Sequence, residues 1–147
     1  MIHLQLSDVL LDGQGNPPLT PDLFEQAAQR ALEHQARAAQ IDLTIVLSDD
    51  AHLQALNRDY LGIDAPTDVL SFPSGEVDSD SGNVYLGDVI ISYPRAIVQA
   101  QTAGHPVAAE LKLLVVHGVL HLIGHDHAEE SEKAVMWAAQ DEILASL

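Results

Sequence analysis

The chain has 147 residues, with 22 acidic against 6 basic side chains and a formal net charge of −16. That length suits one domain with a single core, and that charge repels polyanions at long range, so any attraction for nucleic acid must come from a metal or from a local cluster drawn from Arg30, Arg37, Arg58, Arg95, Lys112 and Lys133. There is no cysteine, which excludes disulfides, thiolate metal sites and cysteine nucleophiles and leaves His, Asp and Glu as the available metal ligands.

In chain order, residues 2–6 alternate apolar and polar side chains as a half-buried strand does, and turn residues from Asp12 to Pro18 end it. Thr20 before Pro21 predicts a helix start. Leu23, Phe24, Ala27, Ala31 and Leu32 continue it as an apolar stripe that runs to about Ala39. Residues 43–47 read as a second strand. Ser48 to Asp50 then cap a short helix carrying Leu53 and Leu56, and residues 57–66 are expected to be irregular. A third strand over residues 67–72 is expected to stop at Pro73, and the acidic run 74–83 to be an exposed loop. Residues 85–92 form a fourth strand, whose continuous Val89-Ile90-Ile91 predicts cover on both faces. Helices are expected at 93–102, 106–123 and 128–147.

Strands and helices mix without strict βαβ alternation, so the expected fold class is α+β: one domain over residues 1–147, with about four strands in a mixed sheet packed against about five helices. No apolar run approaches the roughly 18–20 residues that span a bilayer, and the first residues lack the basic-then-apolar pattern of a secretory leader. A soluble cytoplasmic protein with no membrane partner is expected.

The chemistry concentrates in His117-Gly-Val-Leu-His-Leu-Ile-Gly-His-Asp-His127, which holds four of the eight histidines. Residues four apart share a helix face, so His117 and His121 can aim ring nitrogens at one ion about 2.0–2.1 Å away. Gly124 tolerates the left-handed backbone that ends a helix, after which the chain turns back to deliver His127 to the same ion. Three protein ligands leave a position for water or substrate, which is the arrangement of catalytic zinc. One Zn2+ is therefore expected at the end of a central helix; crowded, unpaired imidazoles would otherwise carry an uncompensated desolvation cost. Imidazoles also suit nickel, copper and iron, so zinc rests on geometry and availability.

The same order of His, His, Gly and His occurs in metzincin metalloproteases, where a Glu directly follows the first His as general base. Here that position is Gly118, and a metallopeptidase is an alternative carried by ligand spacing only. Asp126 reads either as an acceptor that orients an imidazole or as a cap of the final helix. His125 reads as a group that reaches substrate or, being next to a ligand, as a solvent-facing side chain. Ser71 is a candidate to line the cleft, Asp88 to secure backbone or loop contacts, and Glu110 to be a helix-surface charge.

The histidine block resembles the signature of the YbeY family, bacterial zinc-dependent endoribonucleases of ribosomal RNA maturation. Pro66-Thr-Asp-Val-Leu-Ser-Phe-Pro73 and Leu86-Gly-Asp-Val-Ile-Ile-Ser92 match further family segments in the family's order, and Leu56-Asn57 with Tyr60 fits the approach to the first. The resemblance extends over most of the chain. It implies His117, His121 and His127 as metal ligands and metal-assisted cleavage of single-stranded RNA in small-subunit ribosomal RNA processing and ribosome quality control. It further implies the small ribosomal subunit and its assembly factors as partners, no DNA, and a cytoplasmic location. After Asn57 and Tyr60 the family usually places an Arg associated with RNA cleavage, whereas this chain has Leu61. Leucine cannot donate hydrogen bonds to phosphate or stabilise developing negative charge. Arg58, three residues earlier, is the candidate substitute, and a noncatalytic, metal-stabilised ribosome-assembly factor is the alternative reading.

Overall fold

A computed structural model describes residues 1–6, 21–37 and 40–147. Its strands are β1 (Ile2–Leu6), β2 (Ile41–Ser48), β3 (Val69–Val77) and β4 (Val84–Ser92). They form one sheet in the order β1-β2-β4-β3. β1 pairs with β2, and β2 with β4, in parallel, while β3 runs antiparallel to β4. Five helices accompany them among the described residues: α1 (Pro21–His34), α2 (Asp50–Leu61), α3 (Tyr93–Ala103), α4 (Val107–Ile123) and α5 (Glu130–Ala145). The α+β expectation, with a mixed sheet of four strands against helices, is met.

Period-two alternation sends strand residues to opposite faces. Leu43, Ile45 and Leu47 of β2 and Val89 and Ile91 of β4 join one large core with residues of α1, α4 and α5. Ile90, with Val46, Leu70 and Phe72, faces Leu53 and Leu56 of α2 instead. β4 is thus covered on both faces, as its unbroken apolar run predicts. α4 is apolar on most of its circumference because the core surrounds it; Leu111, Leu114, Val115, Val116, Val119 and Leu120 are all buried. Among the described residues, no helix is by itself long and apolar enough to cross a membrane.

Several boundaries differ from expectation for identifiable reasons. α2 continues through Asn57 to Leu61, and Gly62 closes it in the left-handed region, because Asn57 turns its amide away from the helix to donate to Ala65 O at 3.0 Å. Pro73 does not stop β3, which continues to Val77. β3 is an edge strand, where the N–H groups that face outwards have no ladder partner and proline is tolerated, and the irregularity falls between Pro73 and Glu76. α1 ends at His34 and is followed by Ala36 at φ 56, and α5 begins at Glu130, two residues later than expected. The expected turn at 12–18 and the cap at Thr20 lie outside the described residues, whereas the helix expected to run to about Ala39 stops five residues short, at His34.

The position of α4 over the sheet depends on a missing side chain. A Cβ on Gly118 would collide with Cγ1 of Val89 and stand 3.3 Å from Ser71 Oγ. Ser71 Oγ itself donates to Gly118 O at 2.9 Å, tying β3 to the same point of the helix. Gly118→Ala is expected to cost roughly 1–3 kcal/mol through overpacking. Urea denaturation should detect it, and in the Gly118→Ala/Val89→Ala double variant the two costs should be less than additive, because the smaller residue at 89 removes the collision.

Candidate metal centre

α4 carries His117 and His121 one turn apart, and the chain beyond it carries His127. Gly124 adopts φ 113 and its N–H donates to His121 O at 3.0 Å, while His125 N donates to Leu120 O at 3.0 Å. These bonds close the helix and reverse the chain, which swings His127 back towards the two rings. One ring nitrogen from each of His117, His121 and His127 lies within 4.8 Å of the others. His121 Nε2 and His117 Nε2 are 3.2 Å apart.

Donors around a four-coordinate ion with bonds of about 2.0–2.1 Å stand about 3.3 Å apart. The His117–His121 pair already has that spacing, and the exposed His127 closes the third side, so the residues present fit a metal ion. His117 Nδ1 donates to Gln140 Oε1 of α5 at 3.1 Å; this puts the proton on Nδ1 and turns the Nε2 lone pair inward. Burial pushes His117 below its ordinary value of 6.5, against the Gln140 bond and the charge of Asp68, which pull it up. Burial likewise lowers His121, and its neighbours His117 and His127 add to the effect. Both half-buried rings are thus held neutral near pH 7, the form that ligates metal.

The three rings open into a cleft of about 570 Å³, whose other walls include Leu61, Asp68, Ser71 and Asp126. A cavity of about 600 Å³ between Met1, α1 and Leu147 is slightly larger, but it contains none of the triad. The chemistry lies in the smaller space.

The other candidates separate clearly. Ser71 lines the cleft with its hydroxyl committed to Gly118 O. Asp126 also lines it, and its Oδ1 accepts from His127 N at 2.7 Å. It does not cap α5, whose N-cap is Glu129. His125 points neither at substrate nor at solvent alone, because its Nε2 meets Gln35 Oε1 beyond α1 at 2.8 Å. Arg58 is absent from the cleft wall that Leu61 helps to form, and its Nε donates to Asp59 at 3.0 Å. Asp88 accepts from the hydroxyl of Tyr85, a side-chain contact rather than a backbone one. Glu110 is not a surface charge: it is buried at 6% exposure and bonded to His105 at 2.7 Å.

Three residues of the site escape a reading of the sequence. Gln140 is a buried amide on the same helix as buried Met136, Ala139 and Ile143, and that polar interruption was its only signal. Trp137 sets its ring 5.8 Å from that of His117 and 5.6 Å from that of His127. Asp68 reaches the cleft from the chain just before β3.

A family model described as Endoribonuclease YbeY matches residues 16–147. The chain belongs to that family. An endoribonuclease YbeY of Roseiflexus sp. (strain RS-1) is 46% identical over 133 residues, spanning 85% of this chain and 82% of that protein. Another YbeY, from Persephonella marina, is 40% identical over 134 residues, spanning 90% and 87%. The solution structure of TM1509 from Thermotoga maritima aligns over 98% of this chain and 87% of its own, with a TM-score of 0.59 and 25% identity.

Removing the acceptor behind His117 should loosen the ion without dismantling the core. Gln140→Leu is expected to weaken metal binding roughly 10–100-fold, measured by competition with a chromogenic chelator. The depressed pKa values also set a pH dependence. Below 6.5 the unfolded chain binds protons that the folded rings refuse, so stability is present above that pH and is lost as pH falls through the folded values. Urea midpoints of the metal-free protein should fall between about pH 7.5 and 5.5, and less steeply in the His117→Gln/His121→Gln variant.

Proposed function

We propose that this chain is a zinc-dependent endoribonuclease that cuts single-stranded RNA, acting in the cytoplasm on small-subunit ribosomal RNA during maturation and quality control, with the small ribosomal subunit and its assembly factors as partners. One observation carries this reading: three imidazole nitrogens within 4.8 Å of one another at the wall of a cleft, in a chain of an endoribonuclease family. Zinc bound there supplies a Lewis acid that polarises phosphoryl oxygen and makes water more acidic.

The protein's own groups do the rest. His117 and His121, kept neutral by burial and with His117 oriented by Gln140, hold the ion with His127. Ser71 and Gly118 fix the wall against which the strand of substrate lies. Asp126 is engaged by the His127 N–H. Asp68, on the same cleft, would accept the proton from the attacking water as its oxygen bonds to phosphorus and the phosphorus–oxygen bond to the leaving nucleotide breaks, the leaving oxygen taking a proton from solvent. The peptidase alternative lacks its carboxylate, because the residue after the first ligand is packed against Val89 with no room for a side chain.

A second reading is favoured by Leu61, which lines the cleft at 59% exposure where a guanidinium would serve phosphate. It makes the chain a metal-stabilised ribosome-assembly factor without turnover. Under that reading the wild type is inert on RNA yet binds small subunits, and Leu61→Arg gains cleavage.

Treatment with chelator should abolish cleavage of single-stranded RNA, and added zinc should restore it; a verified activity indifferent to both overturns the mechanism. His121→Ala should lose metal and activity together. Asp68→Asn should keep its metal, measured by elemental analysis, while kcat falls roughly 10²–10⁴-fold.

A further inference from the structure

Trp137 is the chain's single tryptophan, and it is not used to fill the core. Its neighbours on α5, Met136, Ala139 and Ile143, are buried, whereas the indole remains 36% exposed and stands nearly perpendicular to the rings of His117 and His127, at 86° and 83°. Lys133, one helical turn earlier, holds Nζ 5.5 Å over the same ring. Of the other cations, Arg58 pairs with Asp59 and Arg95 with Asp50, while Arg30 and Lys112 line cavities that hold none of the triad. Lys133 is in none of the ion pairs found among the described residues.

This pairing answers a difficulty of the endoribonuclease reading. A chain with net charge −16 and a leucine on its cleft wall gains little from phosphate attraction alone. Stacking of a base on an aromatic ring is worth roughly 5–150-fold in affinity and is available to any unpaired base. We propose that Trp137 and Lys133 form the nucleotide platform of this metal centre. A base flanking the scissile phosphate stacks on the indole, and the Lys133 ammonium leaves the ring face it covers in the free protein for the adjoining phosphate. The inference rests on the proposed RNA substrate and supplies its selectivity: bases inside a duplex are stacked on one another and offer the indole no face.

Because Trp137 is the sole tryptophan, intrinsic fluorescence reports on the platform directly. Zinc-loaded protein titrated with an oligouridylate octamer should show saturable quenching. The same octamer annealed to its complement, and inorganic tripolyphosphate, should not produce it. Trp137→Leu should weaken octamer binding about tenfold or more and raise KM with kcat little changed, while Trp137→Phe retains most of the affinity. Lys133→Gln should reduce the slope of log affinity against log salt by about 0.7. Zinc affinity is measured in each variant: if Trp137→Leu loses zinc in proportion to RNA, the indole only supports the histidines and the proposal falls. It falls equally if Trp137→Leu holds zinc and binds the octamer like wild type. Should that variant fail to fold, absence of quenching in the wild type overturns the proposal by itself. Quenching without any cleavage would sustain the platform and sink the endoribonuclease reading, whereas cleavage with no quenching and no effect of the variants would sink the platform alone.

Discussion

At Gly118 the backbone of α4 lies against Val89 with no room for a Cβ, and the carbonyl at that point accepts the hydroxyl of Ser71. Helix and sheet are thereby locked in register at the residue next to the first histidine. The apolar residues of α4 on either side, at about 1.5–3 kcal/mol each when fully buried, make that register energetically dominant over the cost of sequestering two half-buried imidazoles. Everything at the metal centre inherits its position from this contact. His117 and His121 emerge where β3 leaves an open wall, and Asp68 faces them because it immediately precedes that strand.

The same packing prepares the rings chemically. Burial makes protonation of His117 and His121 unfavourable, and the bond from His117 to Gln140 selects the tautomer that leaves Nε2 free. Much of the reorganisation that binding would otherwise demand is done during folding. α5 contributes through several of its positions: Met136 and Ile143 enter the core, Gln140 supports a ligand, and Trp137 closes on two of the rings. Its docking against α4 therefore connects core stability to metal affinity.

An acidic chain in an endoribonuclease family presents an electrostatic conflict, and local arrangement resolves it better than net charge does. At ordinary ionic strength screening confines surface charges to about 8–10 Å, so the groups that line the cleft govern the encounter there. In the cleft wall those are three imidazoles that could hold a cation and the carboxylates of Asp68 and Asp126, and beside it stand an exposed indole packed on two of the rings and a lysine over that indole. Leu61 removes one means of holding phosphate, while Arg58 is turned to Asp59; recognition through bases and a single ammonium is consistent with both facts.

Much of this protein is legible along the chain wherever the physics is local. The four-residue interval between His117 and His121 is a property of helix pitch, the left-handed turn at Gly124 is a property of glycine, and the unbroken Val89-Ile90-Ile91 run reflects a strand buried on both faces. The family-like segments around residues 66–73 and 86–92 stand in the same class. Pro73 misled because its effect depends on whether a strand lies at an edge, and Asn57 because its amide finds a carbonyl eight residues away instead of ending the helix. Glu110 looked like a surface charge until His105 enclosed it. The alliance of His117 with Gln140, of Ser71 with Gly118 and of the histidines with Trp137 belongs to the tertiary structure alone. Those partners lie on different elements, and only the close approach of α4 to the sheet, with α5 laid across it, decides which side chains meet.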